Sequence, residues 1–436
     1  MAIIPQQTLF VWSEIEELGD LERLRMVIEN MPDEELMEVL ERERGKKGRD
    51  DYPVRAVWNT VLAGVVFQHP TIESLRRELS RNAQLRYMCG LYGSGKKAIP
   101  SEWAYTRFFK KLFKHEEEIE KMFNKLVREL KEVLPGYGKE LAMDSKAIES
   151  LSKRKNRKEK ADGRRDTDAD RGVKKYRGTR EDGTTWEKIK MWFGYKLHLI
   201  VDANYELPVA YELTKASASD VKEGHKLIEK LRRKQPEIIE GCERLAADRG
   251  YDDTKLITKL YDEYGIKPVI DIRKLWKDSD STRQLEGYDN IVYDYKGSVY
   301  CYCPETGERR EMACGGLESA RKTIKKLCPT KHYGLVCKGC DKCPVKHGIR
   351  IPLDTDRRIF TPIDRASYKW ERQYNKRTSV ERVNARLDEC FGFEKHYIRG
   401  IKKMKIRCGI ALCVMLAMAV ARIKEKQEDK IRSFVA

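Results

Sequence analysis

Met191 to Ala203 reads MWFGYKLHLIVDA. Tyr195, Leu197, Leu199 and Val201 alternate with Lys196, His198 and Ile200, the period of two that sends neighbouring side chains to opposite faces of a strand. LPVAYELTKA, Leu207 to Ala216, follows as a second strand across a turn at Asn204. Upstream, LAMDSKAI (Leu141 to Ile148) is a short mixed run compatible with a strand. Downstream, Val221, Leu227, Ile228 and Leu231 mark a helix, and RLAADRGYD (Arg244 to Asp252) reads as a strand ending in a polar turn. Leu256, Leu260 and Tyr264 mark a second helix with Gly265 as its cap, and IKPVIDI (Ile266 to Ile272) is a last short strand. The order β, ββ, α, β, α, β specifies a mixed α/β sheet.

The segment before that sheet, about 1–135, has apolar residues three and four apart in VRAVWNTVLAGVVF and SEWAYTRFFKKLFKHEEEIEKMFNKLVREL, with Ser101 placed as an N-cap and Pro135-Gly136 as a break. From 277 to 360 the periodicity gives way to Gly, Cys, Tyr and charge, an inserted subdomain. One long helix is expected from Arg365 to Phe391. The apolar run CGIALCVMLAMAVA, Cys408 to Ala421, is shorter than the roughly 18–20 residues that span a bilayer, so a buried helix and no membrane partner are expected. The domain reading is 1–135, 136–276, 277–360 and 361–436.

The chain has 436 residues, 88 Lys and Arg against 70 Asp and Glu, and a net charge of +18. That size and 40% hydrophobic content exclude a wholly disordered or collagenous chain. The positive excess favours a polyanion, most simply nucleic acid. It is concentrated: Leu151–Lys190 holds 15 basic and 8 acidic residues, and Arg365–Ala436 holds 18 and 8. Ser152 to Asp170, nearly devoid of apolar residues, reads as a flexible loop. No secretory signal is visible, so a cytoplasmic location is expected.

Asp144 and Asp248 each end an apolar run, where an α/β sheet opens its ligand crevice. Tyr374, Arg377 and Glu381, three and four apart, would share one helix face, while Val380, Val383 and Leu387 line an adjacent packing face. Carboxylates so placed suit Mg²⁺ or Mn²⁺, two ions about 4 Å apart acting on a phosphodiester. Composition alone does not single out three acids among 70.

AMDSK (142–146), ADRGYDD (247–253) and YNKRTSVERVNARL (374–387), in that order, resemble the DDE transposases of bacterial insertion sequences. The helical segments YPVRAVWNTVLAGVVFQHPTIESLRRELSRNAQLRYMCGL and IPSEWAYTRFFKKL are similar to the N-terminal domain of the same family. The resemblance implies a ribonuclease H-like mixed-sheet core, with an all-α N-terminal domain and a Cys-rich insertion before the last catalytic helix. It implies Asp144, Asp248 and Glu381 as the metal-binding catalytic triad, and Tyr374, Arg377 and Glu381 as the tyrosine-arginine-glutamate signature. Asp252 is a rival for the second acid, with Asp248 preferred. The family signature continues with a lysine seven residues after the glutamate; here that position is Asp388, so another base such as Lys395 would contact the phosphate, or the signature is degenerate.

The implied activity is cleavage at transposon ends and strand transfer of the exposed 3′-hydroxyl into target DNA, with no Ser or Tyr nucleophile. Arg377 and Lys146 would position phosphates and Tyr374 would pack on a sugar or base. Partners would be double-stranded DNA, as inverted repeats and target, and a second copy in a homodimer. A bacterial protein associated with the nucleoid follows. Cleavage without joining, and DNA binding by a transposase-derived protein without catalysis, are the alternatives. For end recognition, the Ser101–Phe113 helix offers Arg107, Lys110 and Lys111, although Phe108, Phe109, Leu112 and Phe113 need burial.

Seven of twelve cysteines lie between Cys301 and Cys343. In a chain without an export signal such clustering points to metal before disulfides. Cys328, Cys337, Cys340 and Cys343 form one candidate structural zinc set. Cys301 and Cys303, or His332 and His347, are alternative ligands, and reduced cysteines without metal remain open.

Overall fold

The computed structural model describes residues 18–44, 52–93, 98–152, 166–180, 182, 184–273, 276 and 280–434. Among the described residues the helices that come first are α1 (Leu21–Asn30), α2 (Glu34–Arg42), α3 (Val54–Val66), α4 (Ile72–Arg81), α5 (Ala83–Met88), α6 (Glu102–Leu112) and α7 (Glu116–Val133). Ser101 caps α6 by accepting from the Ala104 N–H at 3.2 Å. The Thr71 and Ser74 side chains close a capping box on α4.

The sheet is built from β1 (Glu140–Glu149), β2 (Asp170–Thr179), β3 (Thr185–Asp202), β4 (Leu207–Lys215), β5 (Arg244–Ala247) and β6 (Lys267–Ile270). Helices α8 (Asp220–Lys234), α9 (Pro236–Gly241) and α10 (Thr254–Thr258) connect its later strands. β3 runs antiparallel to β1 on one side and to β4 on the other, while β5 and β6 extend the sheet in parallel from β1. The order across the middle is therefore β4-β3-β1-β5-β6, with β2 pairing the other half of β3. At Gly194, where β3 passes from β1 to β2, an added Cβ would fall on the Ile148 carbonyl oxygen, so a side chain there is excluded.

Two small antiparallel sheets follow. One holds β7 (Thr282–Gln284), β8 (Ile291–Asp294), β9 (Val299–Tyr302) and β10 (Arg309–Glu311). The other holds β11 (Ala313–Glu318), β12 (Thr323–Leu327) and, after α11 (Pro329–Tyr333), β13 (Ile349–Pro352). They share a core of their own, with Ile291, Val299, Ile324, Ile351 and Phe360 buried together. Helices α12 (Tyr368–Tyr374), α13 (Thr378–Glu389) and α14 (Ile401–Lys424) complete the chain.

α14 is long and apolar enough to cross a membrane, but 83% of its apolar window is buried inside the protein. It packs on α7, α1 and β4, and its residues join those of the N-terminal helices and the sheet in one hydrophobic cluster. Gly409 permits the closest approach: an added Cβ would come within 2.7 Å of Ile119 and 2.8 Å of the Tyr211 hydroxyl. The chain is thus mixed α/β, with a mixed sheet and N-terminal helices around a shared core.

Several expectations need correction. The single helix from Arg365 to Phe391 is two helices, broken by a 3₁₀ turn at Asn375–Arg377 in which the Thr378 hydroxyl donates to the Asn375 carbonyl at 2.9 Å. The second connecting helix shifts from α to π geometry at Lys259–Glu263 before Gly265 ends it at φ +69°. The polar segment after Asp170 is the strand β2, held by its ladder to β3. Of the supposed flexible loop, 153–165 lies outside the described residues. Asp166 beyond it is buried and accepts from the Ser150 and Tyr195 hydroxyls, at 2.9 Å and 2.5 Å.

Candidate active site

β1 and β5 are parallel, and Ala142 pairs with Ala246 and Met143 with Ala247. The next residue in each case is an aspartate, Asp144 on β1 and Asp248 just past the end of β5, so the register brings the two side by side. Strand alternation puts both on one face. Ala246, two before Asp248, packs against Ile363, Trp370 and Tyr374, so that face looks toward α12; α13 packs on β1 as well, and its Asp388 meets Lys146, which shares the face of Asp144. Met143, on the opposite face, lies near α8, where a Cβ on Gly224 would meet its methyl at 3.4 Å.

α13 is fastened over the carboxylate face by ion pairs at its flanks. Glu206, on the β3–β4 turn, accepts from Arg382 at 2.6 Å and also from Arg386. Glu140 at the start of β1 receives both Arg244 and Lys376. Three backbone N–H groups, from Gly138, Asn204 and Tyr205, bond to the Asp202 carboxylate at 2.6–2.9 Å and shape that turn.

Glu381 sits in the first turn of α13, and its carboxylate is bound by the Arg377 guanidinium at 2.6 Å. Arg377 also lies over the Tyr374 ring, 5.6 Å from its centroid, and Tyr374 stacks on Trp370 at 4.9 Å. The helix break therefore keeps the three signature residues in contact without a common regular helix. Beside them is a cleft of about 350 Å³ bordered by Arg249, Asp271, Lys296, Arg365 and Trp370.

Burial lifts the Asp144 carboxyl to about 6, and the neighbouring Asp248 charge adds to it. Lys174, the Ser145 N–H and Arg377 pull the other way. Burial opposes the Arg377 charge, but the Glu381 carboxylate overcomes it and the guanidinium stands above its ordinary value. Lys174 was not singled out in the sequence, being one of 15 basic residues in its stretch. It donates to the Ser145 carbonyl at 3.0 Å. Trp370 was missed as well, although its spacing of four from Tyr374 is a helical-pair signal.

Two adjacent, partly buried carboxylates are a donor set for a hard divalent cation. Glu381 can join them only by leaving Arg377, and among the described residues no three His, Cys, Asp or Glu side chains stand placed to hold one ion. The rival acid Asp252 is engaged elsewhere: its buried carboxylate accepts from Arg358 Nε at 2.9 Å and from the Arg273 N–H at 2.8 Å.

Among the basic candidates, Lys146 meets Asp388. Lys111 turns inward and donates to the Glu43 carbonyl at 2.9 Å, while Arg107 and Lys110 are exposed. Lys395 is the remaining basic candidate. It lines, with Lys110, Phe109 and Lys403, a cavity of about 740 Å³ between the N-terminal helices and the start of α14. Cys328, Cys337, Cys340 and Cys343 gather around one cavity of about 20 Å³ together with Cys301 and Cys303. His332 and His347 do not line it; the Lys331 ammonium lies 3.2 Å from His347 Nδ1.

No curated protein matches the chain. Among solved structures, a piggyBac transposase synaptic complex with hairpin DNA aligns over 96% of this chain and 85% of that one, at 12% identity. The TM-score of that alignment is 0.30. Two family models do match: a transposase domain over residues 12–111 and the transposase DDE domain over residues 141–417, well over half the chain. The chain belongs to the DDE transposase family and is a DNA transposase.

Proposed function

We propose that Asp144, Asp248 and Glu381 together hold two Mg²⁺ or Mn²⁺ ions, at which the protein cuts transposon ends and joins the 3′-hydroxyl to target DNA. The observation that carries this reading is the parallel register that sets Asp144 beside Asp248 on the face against which Glu381's helix packs. When bound, such ions activate the attacking oxygen and neutralise charge on the leaving oxygen. The sheet order β4-β3-β1-β5-β6 supports a ribonuclease H-like core.

The side chains divide the remaining work. Arg377 gives up Glu381 and takes a DNA phosphate, so one guanidinium serves both states. Lys174 offsets the paired carboxylates, which would otherwise repel the DNA backbone. Trp370 and Tyr374 offer a stacked aromatic wall to a sugar or base beside the cut. No Ser or Tyr nucleophile is needed.

Residues 1–135 would bind transposon ends and support a homodimer on DNA, with Arg107 and Lys110 on the exposed side of α6. Residues 136–276 and 361–436 would form the catalytic core around the 277–360 insertion. A cytoplasmic, nucleoid-associated protein fits this reading. With Mg²⁺ and DNA carrying the flanking inverted repeats, the protein should cut at the repeat ends and produce joined plasmid products. Cleavage without joining would reduce it to a nuclease, and no cleavage even in Mn²⁺ would leave a DNA-binding protein.

We also propose a structural zinc ion in the insertion, held by Cys328, Cys337, Cys340 and Cys343. Thiolates are suitable donors, and all four line one cavity, so a modest closure would complete the site. Purified protein should contain about one zinc per chain. Metal-free protein with all cysteines reactive would rule the site out.

A further inference from the structure

We infer that Lys146 supplies the phosphate-binding ammonium of the cleavage site and that Asp388 is the residue that positions it; this rests on the two-aspartate reading above. Lys146 lies two residues beyond Asp144 on β1, so both side chains project from the same face of the sheet. Asp388 lies seven residues beyond Glu381, two turns along the same side of α13. The Lys146 ammonium donates to the Asp388 carboxylate across the gap between strand and helix. Only 11% of the Lys146 side chain is exposed, against 32% for Asp388.

An ammonium so far from bulk water needs an anion nearby. Asp388 provides one while engaging one of the three N–H donors. The remaining donors are free to turn toward a phosphate oxygen. The position where the family signature expects a lysine thus carries the opposite charge, and the lysine comes from the facing strand. Helix and strand have exchanged the two signs, leaving the cation on the carboxylate face.

The two roles separate by experiment. Lys146→Gln should lower the rate of cleavage at saturating DNA about 100-fold, the usual effect of losing one charge-stabilising donor. Asp388→Asn should lower it about tenfold, as loss of a supporting partner does. The decisive variant is Lys146→Gln combined with Asp388→Lys, which returns the ammonium from the helix side. It should recover at least about tenfold over Lys146→Gln alone. A methylphosphonate at the phosphate beside the cut should slow the wild type and leave Lys146→Gln unchanged.

Equal sensitivity of both proteins to the methylphosphonate, or no recovery in a double variant with a wild-type melting temperature, would overturn the assignment. If the double variant melts low, the methylphosphonate comparison decides alone. Failure of the two-aspartate reading would look different: Asp144→Asn would then cleave like the wild type whatever the Lys146 variants did.

Discussion

Asp144→Asn should lose DNA cleavage by about 10³-fold or more and, in the absence of divalent metal, melt at a higher temperature than the wild type. Both effects come from one cause. The parallel register presses the Asp144 and Asp248 carboxylates together in partly buried surroundings, and the fold pays for that arrangement when no cation shares it. The sign follows from the direction of the shift. Burial and Asp248 raise the Asp144 carboxyl to about 6, above the ordinary 3.8 of an unfolded chain. The folded state then binds this proton more tightly, so its stability is greatest below about pH 4 and falls as pH rises through 6. Asn carries no such charge. Its advantage should be about 1–3 kcal/mol above pH 7 and close as pH falls toward 4. Mg²⁺ should raise the melting temperature of the wild type and leave Asp144→Asn unmoved. Thermal melts across pH, with and without Mg²⁺, measure all of this. A variant less stable than the wild type at pH 8 without metal would contradict the apposed-carboxylate geometry.

Asp252→Ala should do the reverse, lowering stability by about 3–5 kcal/mol, because it strands a mostly buried guanidinium. Asp252 has no exposed side-chain surface, and Arg358 reaches it from the segment that leaves the insertion. Around that pair, Arg273 donates to the Arg249 and Gly250 carbonyls at 2.6 and 2.7 Å, and Arg365 Nε donates to the Arg358 carbonyl at 2.8 Å. The cluster ties the returning chain to the turn that carries Asp248. Its loss should loosen the insertion and slow cleavage indirectly. Mg²⁺ should still stabilise Asp252→Ala, which separates this acid from Asp144. A variant with wild-type melting, no cleavage and no response to Mg²⁺ would instead make Asp252 a metal ligand.

These two aspartates mark where local sequence stops being informative. Asp248 and Asp252 lie four residues apart in one polar turn, and both follow an apolar strand. Which faces Asp144 and which is consumed by an ion pair depends on Arg358, 106 residues further along. The same holds at the cysteines. Spacing marks Cys337, Cys340 and Cys343 as a group, but Cys301 and Cys303 reach the same cavity from β9 and its following turn. The strand β2 was illegible because its residues are polar and charged. It is held in place by the backbone ladder to β3.

Alternation in MWFGYKLHLIVDA and spacing in the N-terminal helices were readable because each records a local period against a buried face. The apolar run of α14 likewise announced a buried helix, and the order of AMDSK, ADRGYDD and YNKRTSVERVNARL announced the family. Tertiary structure alone decided that Glu381 rests on Arg377, that Lys146 meets Asp388 and that Lys111 turns inward. Each is a choice among several charged side chains of similar reach. Such a choice is made by which partner the packed backbone brings within a few ångströms, and no local period encodes it.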